Sequence, residues 1–310
     1  MQKNSKKEIT LAIKKEAKRL AFVECGISKV SFLENEAKHF DKYLDEGRNA
    51  KMDYLANNIS KRSNPKELVK NSKSVISVLL NYYPREKQNS YTRYQISKYA
   101  YGRDYHKVVK KKLKFLTAFI EKCTGEKNAR FFVDTAPVFE KKWAVKSGLG
   151  WIGKNTLLIN QKYGSYVFLG EIIIDLELNY DQAIEEQCGS CTKCIDACPT
   201  NALIEAYKID SNKCISYQTI ENNNPSLNFD THNWVYGCDI CQNVCPYNKE
   251  IPITEENDFF IKEEIKNYSD KDWEGINEKK FEKIFNGSAI RRLGYKNFMR
   301  NLKLCEDWKI

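Results

Sequence analysis

The sequence predicts three consecutive parts: an α/β domain over residues 1–180, a cysteine-rich module over 181–250 and a short helical segment over 251–310. Three observations predict them. Strand-like and helix-like stretches alternate up to residue 180, the pattern of an α/β domain. Eight of the eleven cysteines lie between residues 188 and 245. Beyond Pro252 the chain turns acidic and then basic in helix-period runs.

The first part divides as follows. Residues 5–22 set Ile9, Leu11, Ile13, Leu20 and Phe22 among lysines, a helix with one apolar face. Ser74 to Tyr83 is β-branched and apolar, a buried strand closed by Pro84. Asp104 to Cys123 is a basic amphipathic helix with Asp104 as its cap. Ala129 to Val133 is a short strand, Val138 to Ser147 a helix, and Thr156 to Ile159 and Tyr166 to Leu178 are strands. No internal repeat appears except a doubled cysteine motif.

That motif carries chemistry. Cys188-Gly-Ser-Cys191-Thr-Lys-Cys194-Ile-Asp-Ala-Cys198-Pro199 has the C-x2-C-x2-C-x3-C-P spacing of bacterial [4Fe–4S] ferredoxins. Three thiolates two residues apart wrap three corners of one cubane, and the fourth, turned away by its proline, serves another cluster. Cys238-Asp-Ile-Cys241-Gln-Asn-Val-Cys245-Pro246 repeats the end of the run, and Cys214 is free to complete it. By the exchange of two-cluster ferredoxins, one cluster takes Cys188, Cys191, Cys194 and Cys245, and the other takes Cys198, Cys214, Cys238 and Cys241. A pair of structural zincs would also accept four thiolates each, but needs neither this spacing nor two C-P endings. Cys25, Cys123 and Cys305 read as small buried apolar residues.

Composition narrows the setting. The N-terminal lysines have no apolar run behind them, and no stretch approaches the roughly 20 apolar residues that cross a bilayer, so a cytosolic chain without a membrane partner is expected. Charge is unevenly placed. Residues 1–180 hold 35 basic and 19 acidic side chains, and 181–250 hold 4 and 10. Lys61 to Lys114 alone holds 15 basic and 3 acidic residues, which suggests a polyanionic partner, though a solvated lysine-rich face reads the same way.

Two motifs are false friends. Gly148-Leu-Gly150-Trp-Ile-Gly153 matches G-x-G-x-x-G, but it follows a helix and precedes a strand, the reverse of a dinucleotide fingerprint. Asp104-Tyr-His106 opens a D-x-H-x-x-G cobalamin motif whose glycine position is Val109. His106 therefore reads as an ordinary helix residue, and His39 and His232 as loop residues.

Longer motifs carry a resemblance. Met52-Asp-Tyr-Leu55, Ser97-Lys-Tyr99-Ala-Tyr-Gly102-Arg-Asp104-Tyr-His106, Asp134-Thr-Ala-Pro137-Val-Phe-Glu140 and Gly148 to Thr156 follow in order. Gly164 to Glu171, both cysteine runs and Cys214-Ile-Ser-Tyr-Gln-Thr-Ile-Glu221 complete the set. Together they resemble the epoxyqueuosine reductases over roughly residues 5–300. The resemblance implies a cobalamin in the α/β domain, resting as cob(II)alamin and active as cob(I)alamin charged through the clusters. It implies a tRNA carrying epoxyqueuosine at the wobble position, whose epoxide is reduced to give queuosine. It also implies a low-potential electron donor such as ferredoxin or flavodoxin; a monomer is expected. Longer members continue past the equivalent of Arg291 to Leu302 into helical repeats, whereas this sequence stops at Ile310.

The site residues follow from the same match. Asp134 is the expected proton donor. It follows the apolar Phe131-Phe132-Val133, so burial should raise its pKa and keep it protonated near neutrality. From its own residues it also suits an N-cap for the helix starting near Pro137. The expected cobalamin contacts are Asn57, Ser97, Asp134, Lys154, Asn155, Thr156, Leu158, Ser165, Leu169 and Ser216, although ordinary turns and strand packing would use the same residue types. Tyr82, Tyr83, Tyr91, Tyr94, Tyr99, Tyr101 and Tyr105, interleaved with Arg85, Arg93, Lys98 and Arg103, could stack bases and neutralise phosphates. Arg291, Arg292 and Arg300 could add phosphate contacts. The rival readings are a corrinoid reductive dehalogenase and a ferredoxin-type electron-transfer subunit.

Overall fold

The computed structural model describes residues 5–307. Its centre is a four-stranded sheet of β1 (Glu24–Lys29), β2 (Ser74–Asn81), β3 (Ala129–Phe132) and β4 (Val167–Ile174) in the order β1-β2-β4-β3. Every neighbouring pair is antiparallel. The alternation of strand and helix was legible, but strand direction was not, because periodicity registers burial and carries no sign of direction. All eight residues of β2 are buried, since helices cover both faces of the sheet.

One face is covered by α1 (Lys6–Arg19) and by a longer helix, Tyr105–Thr124; the other is covered by Glu140–Lys146. With α2 (Glu34–Asp45) between them in the chain, the two later helices are α3 and α4. Ser5 and Glu8 form a capping box that starts α1. Asp104 accepts from the His106 backbone N–H and caps α3, and Gly125 ends it in the left-handed conformation. Val109, Leu113, Leu116 and Ile120 seat α3 on Ile172 and Ile174 of β4, each contributing roughly 1.5–3 kcal/mol by burial. On the opposite face Gly26 of β1 lies under the end of α4. A Cβ there would sit 2.0 Å from the Ser147 carbonyl oxygen, so any side chain would push α4 off the sheet. Two elements escape sequence reading. β1 is short and mixed in character, and α2, which contains His39, buries no side chain although Ala37, Phe40, Tyr43 and Leu44 form an apolar stripe along it.

A second core crosses the boundaries that composition suggests. Tyr94, Ile96, Ala100 and Tyr101 pack with Val235, Tyr236 and the residues 261–305. The strand Gln95–Ile96 runs parallel to Trp234–Tyr236. The basic stretch meets acids of the same chain here. Arg93 pairs with Asp270, Arg103 with Asp258, Lys112 with Glu256, and Glu86 with Lys266. Tyr82, Tyr94 and Tyr101 are buried in the cores and offer no ring to a base, whereas Tyr91 is 94% exposed. Arg300 is buried too, its guanidinium donating to the carbonyls of Gln218, Asn222 and Asn224, so it is a strut and not a phosphate contact. Cys305 is buried and Cys25 half-buried, but Cys123 is exposed on the outer side of α3. No described helix is long and apolar enough to cross a membrane.

Candidate functional site

Two short helical turns, Lys193–Asp196 and Ile240–Asn243, pack against each other and carry the two cysteine runs. All eight thiols are free. Cys245 lies close enough to Cys188 and Cys191 for their charges to raise its pKa beyond what burial alone does, and Cys194 feels Cys245 and Cys188. Burial pushes the Cys238 thiol up to about 12, with Cys214 and Cys198 adding to it. Burial also raises Cys241 well above the ordinary thiol range, helped by Cys238 and Cys214. The mutual influence thus falls into two sets of four, and the two sets approach each other at Cys194 and Cys241. Buried thiols that repel one another as thiolates call for cations. Among the described residues no three His, Cys, Asp or Glu converge on a single ion. Thiolates on a cubane bind four separate irons and stand further apart than thiolates sharing one zinc.

The hairpin Trp151–Ile152 and Leu158–Ile159 leans on the first set, since Trp151 and Ile159 pack with Cys188 and Cys245. Gly150 and Gly153 of the G-x-G-x-x-G run serve this hairpin: a Cβ on Gly150 would lie 2.2 Å from the Ile159 carbonyl oxygen. Lys154 donates to the Gly189 carbonyl at 2.6 Å and ties the hairpin to the first cysteine loop. Asn155 is buried, its Oδ1 accepting from Leu157 while its Nδ2 has no partner. Thr156 holds φ 67°, a conformation rare for a β-branched residue. Leu158 and Leu169 meet in one apolar cluster with Leu79 and Leu149. Ser165 donates to Gln242 Oε1 and accepts from Asn248, so its hydroxyl is committed within the protein. Ser97 is buried and donates to Asp239, whose other oxygen accepts from the Lys98 backbone and ammonium. Ser216 is half-buried in α5 (Ile215–Ile220), two residues after Cys214. Asn57 is exposed at the end of the turn Asp53–Ala56. The structure therefore brings 154–158 and Leu169 to one side, and sets Ser97 and Ser216 beside the second group of thiols.

Asp134 lies two residues past β3 with φ 53°, in the left-handed region. It opens onto a cleft of about 290 Å³ lined by Tyr99, Asp104, Tyr105, His106, Asp134, Tyr236, Arg291 and Arg292 among others. Its Oδ2 lies 3.0 Å from His106 Nε2, and His106 Nδ1 lies 2.8 Å from Asp104 Oδ1. One imidazole thus bridges two carboxylates. Burial raises the Asp134 pKa, but the His106 hydrogen bond and charge, with Tyr105 beside them, hold it below the usual carboxylate range. Burial lowers that of His106, but Asp104 and Asp134 outweigh it and push His106 up to about 9. This corrects the sequence expectation. At neutrality the proton resides on His106, because Asp104 and Asp134 both favour the imidazolium, and the Asp134–His106 partnership joins residues 28 apart in the chain. Asp134 is not a helix cap either, since α4 begins after Phe139 without a side-chain cap. Val109, in place of a motif glycine, hides His106 from the sequence pattern. The signal that could have found it was Asp104, a cap two residues before a histidine at a helix start. Arg292 at the rim pairs with Glu221, and Arg291 with Glu282.

A reducible-metal module joined to a domain with an acid-lined cleft is the build of an iron–sulfur oxidoreductase. The model described as 4Fe-4S double cluster binding domain matches residues 187–248, and the one described as epoxyqueuosine reductase QueG, DUF1730, matches residues 62–135. An epoxyqueuosine reductase of Cellulophaga algicola is 48% identical over 304 residues, covering 96% of this chain and 98% of the relative. The chain belongs to the epoxyqueuosine reductase family. A crystal structure of an epoxyqueuosine reductase with an epoxyqueuosine-modified tRNA-Tyr stem loop superposes with a TM-score of 0.86 at 28% identity, over 96% of this chain and 80% of that one. A Bacillus subtilis epoxyqueuosine reductase, described with its Asp134 catalytic loop swung out of the active site, gives 0.84 at 28% identity, over 96% of this chain and 81% of that one.

Proposed function

We propose that this chain reduces the epoxide of epoxyqueuosine at the wobble position of a tRNA, leaving the alkene of queuosine and releasing the oxygen as water. The conversion takes two electrons and two protons. The observation that carries the reading is the bridged trio Asp104–His106–Asp134 at the floor of a cleft, within one fold with two sets of four thiols. The stem-loop bound by one structural relative and the catalytic loop named in another support it.

Cys188, Cys191, Cys194 and Cys245 would hold one [4Fe–4S] cluster, and Cys198, Cys214, Cys238 and Cys241 the other, with a ferredoxin or flavodoxin as electron source. The orphaned Nδ2 of Asn155 and the strained Thr156 suit a loop that closes on a cofactor carrying amide arms. Lys154, Asn155, Thr156, Leu158, Ser165 and Leu169, with Asn57, Ser97, Asp134 and Ser216 at its other edges, would hold a cobalamin. When bound, that group supplies a strongly reducing, nucleophilic metal to the epoxide carbon. Asp134 faces the departing oxygen and passes to it the proton that His106 Nε2 holds, while Asp104 keeps the imidazole in place and solvent supplies the second proton as water leaves. Tyr99, Tyr105 and Tyr236 wall the cleft against water, and the guanidinium of Arg292 places a positive charge at its rim.

The test is anaerobic incubation of the iron-loaded, cobalamin-supplemented protein with an epoxyqueuosine-containing anticodon stem-loop and a low-potential reductant, followed by nucleoside analysis. Queuosine should accumulate only with all components present. Unchanged epoxyqueuosine, with both cofactors verified as bound, overturns the reading.

A further inference from the structure

Behind the cleft lies a pair of acids that the mechanism does not use. Glu171 stands in the middle of β4, in register with Ser77 of β2 and Phe132 of β3. It is wholly buried, and no hydrogen-bond donor among the described residues is recorded at either of its carboxyl oxygens. What faces it is the carboxyl of Glu140, the first residue of α4. Two ionised carboxylates in contact at a buried site repel, and each lacks solvation, so such a pair keeps a proton between its members. Burial accordingly raises both groups, Glu171 most strongly.

The pair reaches the cleft through the backbone. Glu140 Oε1 accepts the backbone N–H of Asp134. Asp134 is a non-glycine residue in the left-handed region, a conformation that persists where the surroundings over-determine it. The other charged or titratable groups around Glu140 are the Asp134 carboxylate, Tyr105 and His106 at the start of α3, Arg62 of the turn Ile59–Ser63, and Lys141 of α4.

We propose that Glu140 and Glu171 share one proton and together form a latch for the catalytic loop. The Glu171 O–H donates to Glu140, and the Glu140 carboxylate holds the Asp134 N–H, so that the Asp134 side chain stays turned toward His106. Glu140 is thus a positioning residue acting through Asp134, and Glu171 fixes the charge state in which it can do so. The inference rests on the catalytic role proposed above for Asp134.

Two measurements need no turnover. Infrared spectroscopy of the resting protein at neutral pH should show a protonated buried carboxyl that Glu171→Gln removes. Absence of that band, or its survival in Glu171→Gln, overturns the shared proton. Hydrogen exchange at the Asp134 amide should quicken by about tenfold in Glu140→Leu, the worth of one hydrogen bond. Unchanged exchange overturns the latch. In turnover, Glu140→Leu should lower kcat by about 10²-fold, the cost of a misplaced group, with KM for the stem-loop little changed. Glu171→Gln, which still donates to Glu140, should keep most of the rate that Glu171→Leu loses. Equal rates in the two Glu171 variants overturn the proposal, and they decide it even if Glu140→Leu does not fold. If wild-type protein leaves epoxyqueuosine intact, the functional reading fails while the spectroscopic and exchange measurements still judge the latch.

Discussion

The cysteine module and the Asp134 cleft solve the problem of buried charge in opposite ways. In the module burial and neighbouring thiols together raise the pKa of Cys194, Cys214, Cys238, Cys241 and Cys245. In the cleft two carboxylates hold one imidazolium between them, and Arg292 at the rim adds a second positive charge from the protein's own side chains. The module is therefore complete only with a metal guest, and its folding free energy includes that of metal binding. The cleft is organised before anything enters it. Different perturbations should break the two regions, and the difference can be measured.

The largest effect expected is metal removal. Stripped of iron, the chain should lose all turnover, and residues 181–250 should become the first site of limited proteolysis, while the cleft side stays protected. Reconstitution should restore about eight irons per chain, the content of two cubanes. A module as resistant without iron as with it would erase the contrast. Cys214→Ser should impair one cluster and spare the other, read by EPR.

Next comes the cleft. Asp134→Asn should reduce turnover by roughly 10²–10⁴, the usual worth of a positioned general acid. Its melting temperature should fall modestly, because Asn keeps the contact with His106 Nε2 but loses the charge that helps hold the imidazolium. Near-normal turnover in a folded Asp134→Asn protein would remove the acid from the site.

The pH dependence sharpens the comparison further. The folded pKa of His106, about 9, is above the unfolded value of about 6.5. The stability it contributes is fully present below pH ~6.5 and is lost as pH rises through about 9. With the side chain 21% exposed, the amount is on the order of 2 kcal/mol, and it should vanish in His106→Gln, as read by denaturant melts at several pH values. Turnover should fall over the same window as the proton leaves the trio. The smallest effect belongs to the surface pairs: Arg103→Ala, which breaks an exposed pair with Asp258, should cost less than about 1 kcal/mol.

What the sequence made legible follows the same division. Cysteine spacing is a local property, so the module could be read from a string of residues. So could β2, α1 and α3, whose burial periods and caps lie within each element. The cleft is assembled from the end of β3, the start of α3, the strand Trp234–Tyr236 and the turn at Ala289 to Leu293, and no local pattern joins them. His106 gained its role only when Asp134 came within 3.0 Å of it. Tyr82, Tyr94 and Tyr101 turn into the cores while Tyr91 is exposed and Tyr99 and Tyr105 line the cleft, a division the sequence hides because interleaving of rings and cations looks the same whether the rings point to a core or to a ligand. The basic stretch misled in part because its counterions, Glu256, Asp258 and Asp270, lie some 145 to 180 residues further along the chain.

Asp239 sits between Cys238 and Cys241 and is wholly buried, yet it holds the hydroxyl of Ser97 and both nitrogens of Lys98. The next residue, Tyr99, is a wall of the cleft. One carboxylate therefore works as a crossbar between the place where metal is loaded and the place where the reaction is proposed to occur. Closing the cysteine loop sets the crossbar, and the crossbar sets the wall. The seat of Tyr99 in the cleft is thereby tied to the backbone of the second cysteine run, so a change at Asp239 would be felt on both sides.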